Sequence, residues 1–233
     1  MSPIESNLQH VAEAIHTAIG GLPQDRQQPV TLIAVSKTQS ANAVRAAFEA
    51  GQRAFGENYV QEASTKIAEL ADLRARGIEW HLIGPLQSNK ARLAAESFDW
   101  VHSIDRLKIA DALGRHRTGL SALNVCLQVN ISGEASKSGL LPETTLNLAR
   151  EVASIPNLKL RGLMAIIENT PSELIRRAQF AQMRQLVETT RNAGIPVDTL
   201  SMGMSGDFSM AIAEGATMVR VGTAIFGLRG RDH

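Results

Sequence analysis

The sequence predicts an α/β barrel of eight parallel strands with one extra helix in front, and three observations carry that prediction. Short apolar runs alternate with amphipathic helical stretches along most of the chain. There are eight such runs, which suits closure into a (β/α)8 barrel of the TIM type. No Gly-x-Gly-x-x-Gly follows the first run, where an open dinucleotide-binding sheet would carry it; such a sheet is the structural alternative.

The extra helix is expected over about Ser6 to Ala18. The strands are expected at Thr31–Val35, Gln52–Phe55, Glu79–Ile83, Trp100–Ser103, Leu123–Ile131, Lys159–Met164, Thr199–Met202 and Met218–Val221. The second is the weakest of them. Between them helices are expected at Ala41–Ala50, Val60–Arg74, Lys90–Ser97, Leu107–Leu113, Glu143–Ala153, Pro171–Asn192 and Asp207–Glu214. Short turns between β and α units imply right-handed crossovers and parallel strands. No linker divides the 233 residues, so one domain spanning 1–233 is expected.

Composition removes several function classes. A net charge of +1 gives no basic excess for a phosphate backbone, and aromatics at 4% give no base-stacking surface, so nucleic acid is not an expected partner. A hydrophobic share of 44% against 20% charged residues supports a large core. The one cysteine, Cys126, rules out an internal disulfide framework and reads as a buried structural thiol in an apolar run. The N-terminus lacks a basic stretch leading into an apolar one, and no apolar run is long enough to span a bilayer. A soluble cytoplasmic protein that does not bind membranes is expected.

In such a barrel, chemistry gathers where strands end and loops begin. Lys37 directly follows Thr31–Val35, where desolvation would favour the neutral amine that attacks a carbonyl; a solvated lysine at a loop start is the alternative, and Lys37 alone favours it. Gly203-Met204-Ser205-Gly206-Asp207 follows the seventh strand, and Arg220-Val221-Gly222-Thr223 ends the eighth. Barrels often hold phosphate with these two loops. Ser205 offers a hydroxyl, Gly222 allows close backbone approach, and Thr223 is expected to cap the next turn, where a helix dipole favours an anion. Arg220 needs an acceptor, which is open between a ligand atom and a rim carboxylate such as Glu57 or Asp207. Asn58, ending the second strand, offers both donor and acceptor, while Tyr59 is expected to pack. The polar loop 130–139 offers Lys137 as a second amine or phosphate contact, with a plain surface loop as the favoured alternative. His81 and His102 have no ligand-forming neighbours at metal spacing and read as core histidines, so no metal is expected.

Together these segments resemble the pyridoxal phosphate homeostasis family, also called the YggS/PROSC family. The matching stretches are Ala34–Thr38, Phe55–Glu62, Trp80–Lys90, Ser136–Gly139, Arg161–Ile166, Leu200–Ser205 and Val219–Gly227, in that order across most of the chain. The resemblance implies a modified TIM barrel like the alanine racemase N-terminal domain, of the fold type III-like class of pyridoxal 5′-phosphate (PLP) proteins. It implies PLP held as a Schiff base on Lys37, with Asn58, Met204, Ser205, Arg220, Gly222 and Thr223 as further cofactor contacts and Lys137 as a candidate secondary lysine. Ser205 and the backbone at Gly222 and Thr223 would hold the phosphate. Arg220 would face the pyridine nitrogen and keep it unprotonated, which weakens the ring as an electron sink.

A racemase of this fold needs two bases on opposite faces of the α-carbon. In the racemases the second is a tyrosine from a C-terminal β-domain. This sequence ends seven residues after Phe226, and its single tyrosine lies in the second-strand motif, so the apparatus for efficient racemisation is expected to be missing. The leading expectation is a monomeric PLP carrier that limits free aldehyde, supplies cofactor transiently to apo PLP-dependent enzymes and so affects vitamin B6 and amino-acid pools. A weakly active racemase-like enzyme, with Glu57, Lys137 or water as second base, is the alternative. A Schiff-base aldolase without PLP is the third.

Overall fold

The computed structural model of the protein describes residues 2–134 and 137–227. Helix α1 (Pro3–Gly20) starts in a reciprocal cap: Ser2 Oγ accepts from the Glu5 amide and the Glu5 carboxylate accepts from the Ser2 amide, with Pro3 in the first turn. Its Leu8, Val11 and Ile15 share one face and are buried. Asn7 Nδ2 donates to Ile225 O at 2.9 Å, tying α1 across the seam where the barrel closes.

The strands are β1 (Thr31–Val35), β2 (Ala54–Glu57), β3 (Glu79–Leu82), β4 (Trp100–Ile104), β5 (Leu123–Val129), β6 (Leu158–Ala165), β7 (Thr199–Met204) and β8 (Met218–Val221). All neighbours run parallel, and β8 closes on β1. The helices between them are α2 (Ala41–Glu49), α3 (Val60–Glu69), α4 (Ala91–Ser97), α5 (Leu107–His116), α6 (Thr145–Ala153), α7 (Glu173–Asn192), α8 (Phe208–Ala213) and the single turn α9 (Thr223–Phe226). The expected barrel is therefore found.

Most element ends differ from expectation by one to three residues, and two differences have a local cause. The second strand starts two residues later than predicted, because Gln52 and Arg53 turn their side chains onto backbone carbonyls of Leu32, Ala54 and Phe48 and end the loop there. The helix predicted over Val60–Arg74 stops at Glu69 and continues as a 3₁₀ stretch, Ala71–Arg76, closed by Gly77 at φ +87°.

Alternation along the strands separates two interiors. A large apolar cluster, with Ala34, Trp80, Val101, Leu163, Val219 and Val221 among its members, lies between sheet and helices. The opposite strand face fills the barrel lumen with a smaller cluster, Ile33, Ala54, Trp100, Cys126, Met164 and Met218. His81 and His102 share that lumen, as their contacts with Trp100 show. Both are fully buried, as the core reading of these histidines requires. Cys126 is buried too, and burial pushes its thiol up to about 12.

Candidate functional site

The register of the closing seam assembles the site. Ala34 pairs with Val221 on one side and Phe55 on the other, and Met204 pairs with Arg220. The carboxyl ends of β7, β8, β1 and β2 are thus consecutive around the rim. They carry Met204 and Ser205, then Arg220, Gly222 and Thr223, then Lys37, then Asn58.

Lys37 is half-buried and makes no hydrogen bond or ion pair among the described residues. Its backbone, by contrast, is clamped on both sides. Ser36 donates its hydroxyl to Glu57 Oε1 at 2.6 Å, and its carbonyl accepts from Lys66 Nζ at 2.8 Å. On the far side the Thr38 amide donates to Glu62 Oε1 at 2.7 Å, and Thr38 takes a left-handed φ of +62°. Lys66 Nζ also reaches Glu57 Oε1 at 2.8 Å and Glu62 Oε1 at 3.2 Å. Glu62 and Lys66 lie one helical turn apart on α3, so a single helix face grips both flanks of Lys37. Lys66 did not stand out in the sequence, and Glu62 stood out only as the last residue of a matching stretch. A lysine four residues after a glutamate is ordinarily a surface pair.

Glu57 is therefore not a rim ligand. Its carboxylate is completely buried, and burial raises its pKa against the opposing pull of Lys66 and Ser36. Arg220 does not pair with Glu57 either. Its Nη1 donates to Ser201 Oγ and its Nη2 to Ala165 O, both at 2.8 Å, which leaves Nε without a protein partner among the described residues. Arg220 is buried, and desolvation lowers its guanidinium to about 10, with Asp207 pulling the other way.

Ser205 and Met204 are exposed in a turn held by Asp207, which accepts the Met204 amide at 2.6 Å and returns its own amide to Met204 O at 3.0 Å. Gly203, at φ +94°, sits in the register shift between Ser201 and Met204, and a side chain there would meet Ala211 Cβ at 2.6 Å. At Gly222 a Cβ would lie 3.2 Å from Val35 O, so the end of β8 hugs β1. Thr223 does not cap the turn after β8, contrary to expectation: Gly222 is the cap residue, and Thr223 is the first residue inside the turn. Since α9 has four residues and α8 six, the anion-holding groups available here are local amides and hydroxyls rather than a helix dipole.

Beside this arc a cleft of about 210 Å³ is lined by Asn58, Gly84, Gln128, Asn130, Lys137 and Ile166. Gly84 is obligatory there, since a Cβ would come within 2.3 Å of Asn58 O. Lys137 reaches the cleft, but its amine is paired with Glu134 at 2.7 Å and donates to Ile167 O at 3.1 Å. Of the loop 130–139, Ala135 and Ser136 lie outside the described residues. Tyr59 does not pack as expected. It caps α3 from outside the helical turn and is 57% exposed, off the face set by Val60, Ala63 and Lys66. A hollow of about 200 Å³ at the opposite end of the barrel, bordered by Gln28, Arg184 and Thr217, holds none of the predicted site residues. Among the described residues no group of side chains could hold a metal, and no helix is long and apolar enough to cross a membrane.

Comparison with known proteins gives first the class. The alanine racemase N-terminal domain model matches residues 8–230. An alanine racemase from Clostridium difficile, 15% identical with a TM-score of 0.70, shares the barrel over 98% of this chain and 57% of its own length. Nearer relatives give the branch. A protein of Pseudomonas aeruginosa named pyridoxal phosphate homeostasis protein is 55% identical over 98% of this chain and 97% of its own. PipY of Synechococcus elongatus PCC7942, whose structure was solved with PLP bound, is 40% identical with a TM-score of 0.82, over 96% of this chain and all of that one. The chain belongs to the pyridoxal phosphate homeostasis family, within the alanine racemase N-terminal domain class.

Proposed function

We propose that this protein binds PLP covalently through Lys37 Nζ and acts in PLP homeostasis, holding and handing on the cofactor rather than turning over a substrate. The observation that carries the proposal is the four-strand arc. One amine with no partner among the described residues, one buried cation with a donor that none of them takes up, and a hydroxyl and glycine pair sit on consecutive strand ends. The names of the relatives and the PLP bound to PipY support the cofactor's identity.

The residues fit such a group. When bound, PLP supplies an electrophilic aldehyde joined to an electron-withdrawing ring. Lys37 supplies the nucleophilic nitrogen, and the clamp on Ser36 and Thr38 fixes where that nitrogen can reach. Ser205, with the amides of Gly222 and Thr223, offers donors to the phosphate. Met204 and Asn58, at the two ends of the arc, would be further contacts for the cofactor. Arg220 donates and does not accept, so against a ring nitrogen it would favour the unprotonated form.

The arrangement favours a carrier over a racemase because the two residues considered as a second base are engaged. Glu57 is locked to Lys66 and Ser36, and Lys137 is paired with Glu134. A monomer in the cytoplasm that passes PLP to apo-enzymes is the reading we adopt.

Adding PLP to the purified protein should produce a yellow absorption band. Borohydride reduction and peptide mapping should then place the pyridoxyl group on Lys37. Lys37→Ala should lose the band. A label on Lys137, or a band that survives Lys37→Ala, would move the attachment elsewhere. Turnover of D- or L-amino acids at ordinary enzymatic rates would replace the carrier by an enzyme.

A further inference from the structure

Arg220 is a buried cation with no carboxylate within ion-pair distance among the described residues. What lies behind it is a line of polar groups running through the lumen. Arg220 Nη1 donates to Ser201 Oγ at 2.8 Å, and Ser201 Oγ lies 3.0 Å from His102 Nδ1. His102 Nε2 lies 3.0 Å from His81 Nδ1. His81 stacks on Trp100 at 5.4 Å, and its Nε2 is buried with no hydrogen bond among the described residues. The nearest carboxylate oxygen is Glu79 Oε2, at 3.7 Å. That distance is beyond a hydrogen bond but within electrostatic reach. β4 and β7 are not neighbours in the barrel, so His102 and Ser201 meet across its interior.

The protons of this line have two self-consistent arrangements with neutral rings. In one, Ser201 gives its proton to His102 Nδ1, His102 gives Nε2–H to His81 Nδ1, and His81 turns Nε2–H toward Glu79. In the other every proton is reversed. The bare Nε2 lone pair of His81 then faces a carboxylate, and Ser201 Oγ receives two donors while its own proton lacks an acceptor. A guanidinium can only donate. The first arrangement alone sets lone pairs toward the cation and N–H groups toward the anion.

We infer that Glu79, His81, His102 and Ser201 form a polarised line of positioning residues that orients Arg220 from behind, with both imidazoles neutral and protonated on Nε2. The charged groups facing the histidines are Glu79 and Asp99 on one side and Arg220 on the other. Burial lowers both histidine pKa values, and His102 is lowered further by His81 and Arg220, which agrees with neutral rings. The consequence for PLP rests on the reading of Arg220 as a cofactor contact; the polarity of the line does not.

The test is nitrogen-15 NMR of histidine-labelled, ligand-free protein at neutral pH, with His81 and His102 assigned by His→Gln substitution. Both rings should show a protonated Nε2 and a bare Nδ1. A charged ring, or Nδ1–H in either one, would overturn the inference. Ser201→Ala should admit the opposite tautomer at His102, and Ser201→Thr should restore the original. Glu79→Gln, at an exposed side chain and therefore safe for folding, should weaken the bias at His81. Unchanged tautomers in both Ser201→Ala and Glu79→Gln would also overturn it. With PLP loaded, Ser201→Ala should release the cofactor faster by on the order of tenfold, as expected for one lost charged hydrogen bond, and Ser201→Thr should not. Release at the wild-type rate from Ser201→Ala would deny the line its positioning role. If PLP failed to bind the wild-type chain, the proposed function would fall while the tautomers still decided the line.

Discussion

Lys37 and Lys66 both touch the end of β1, and their surroundings give them opposite roles. Lys37 has no protein partner among the described residues, whereas Lys66 is buried and spends its three protons on Ser36 O, Glu57 and Glu62. Replacing Lys66 by Met would leave Glu57 as an uncompensated buried charge, at a cost of about 3 kcal/mol near neutral pH. The loss should shrink as the pH is lowered, because the Glu57 carboxyl, already raised by burial, can then take up a proton. Urea unfolding of Lys66→Met at two pH values measures both. Cys126, pushed up to about 12, should resist thiol reagents in the native protein and react only once the barrel is unfolded.

Among the elements, β6 and β7 show how close packing of strands selects glycine. A Cβ at Gly162 would sit 1.7 Å from Thr199 O, inside the pairing of these two strands. Gly162→Ala should therefore cost about 3 kcal/mol or more, since backbone rather than a flexible side chain must move. Gly51→Ala is a useful contrast. Nothing lies within 4 Å of its Cβ, but its φ of +103° is unfavourable, so a loss of about 1 kcal/mol is expected in the same thermal or urea assay. Gly84→Ala would also press on backbone, at Asn58 O and Cα, so it should cost stability and in addition displace Asn58 and weaken PLP retention.

For the whole molecule, the lumen sets the response to acid. An unfolded histidine titrates near 6.5. His81 and His102 take up a proton only at lower pH while the barrel is closed. Between those values the unfolded chain binds more protons, so stability falls as the pH drops below about 6.5 and is regained as it rises. Unfolding free energy measured from pH 5 to pH 8 should show this slope, and His102→Gln should flatten it. A flat wild-type profile would mean that the rings are not held neutral.

Much of this protein is legible in one dimension. Apolar runs and turns reveal the eight strands, and a barrel of consecutive parallel strands carries chain order directly into order around the rim. Lys37, Asn58, Ser205, Arg220, Gly222 and Thr223 could therefore be placed at one mouth from their positions at or just after strand ends. The boundaries of β2 and α3 were less legible, because the competing side-chain hydrogen bonds of Gln52 and Arg53 and the left-handed Gly77 are decided locally by contacts, not by periodicity. What no pattern could reveal are contacts across and behind the sheet: Lys66 reaching under β1, and the line from Arg220 through Ser201 and His102 to His81. One contact in that line, His102 with Ser201, joins residues 99 positions apart on strands β4 and β7, which are not neighbours. The sequence determined the strands, their order and the groups at their ends, because those follow from local alternation. The tertiary structure decided which buried polar groups meet, because that depends on the stagger with which the barrel closes.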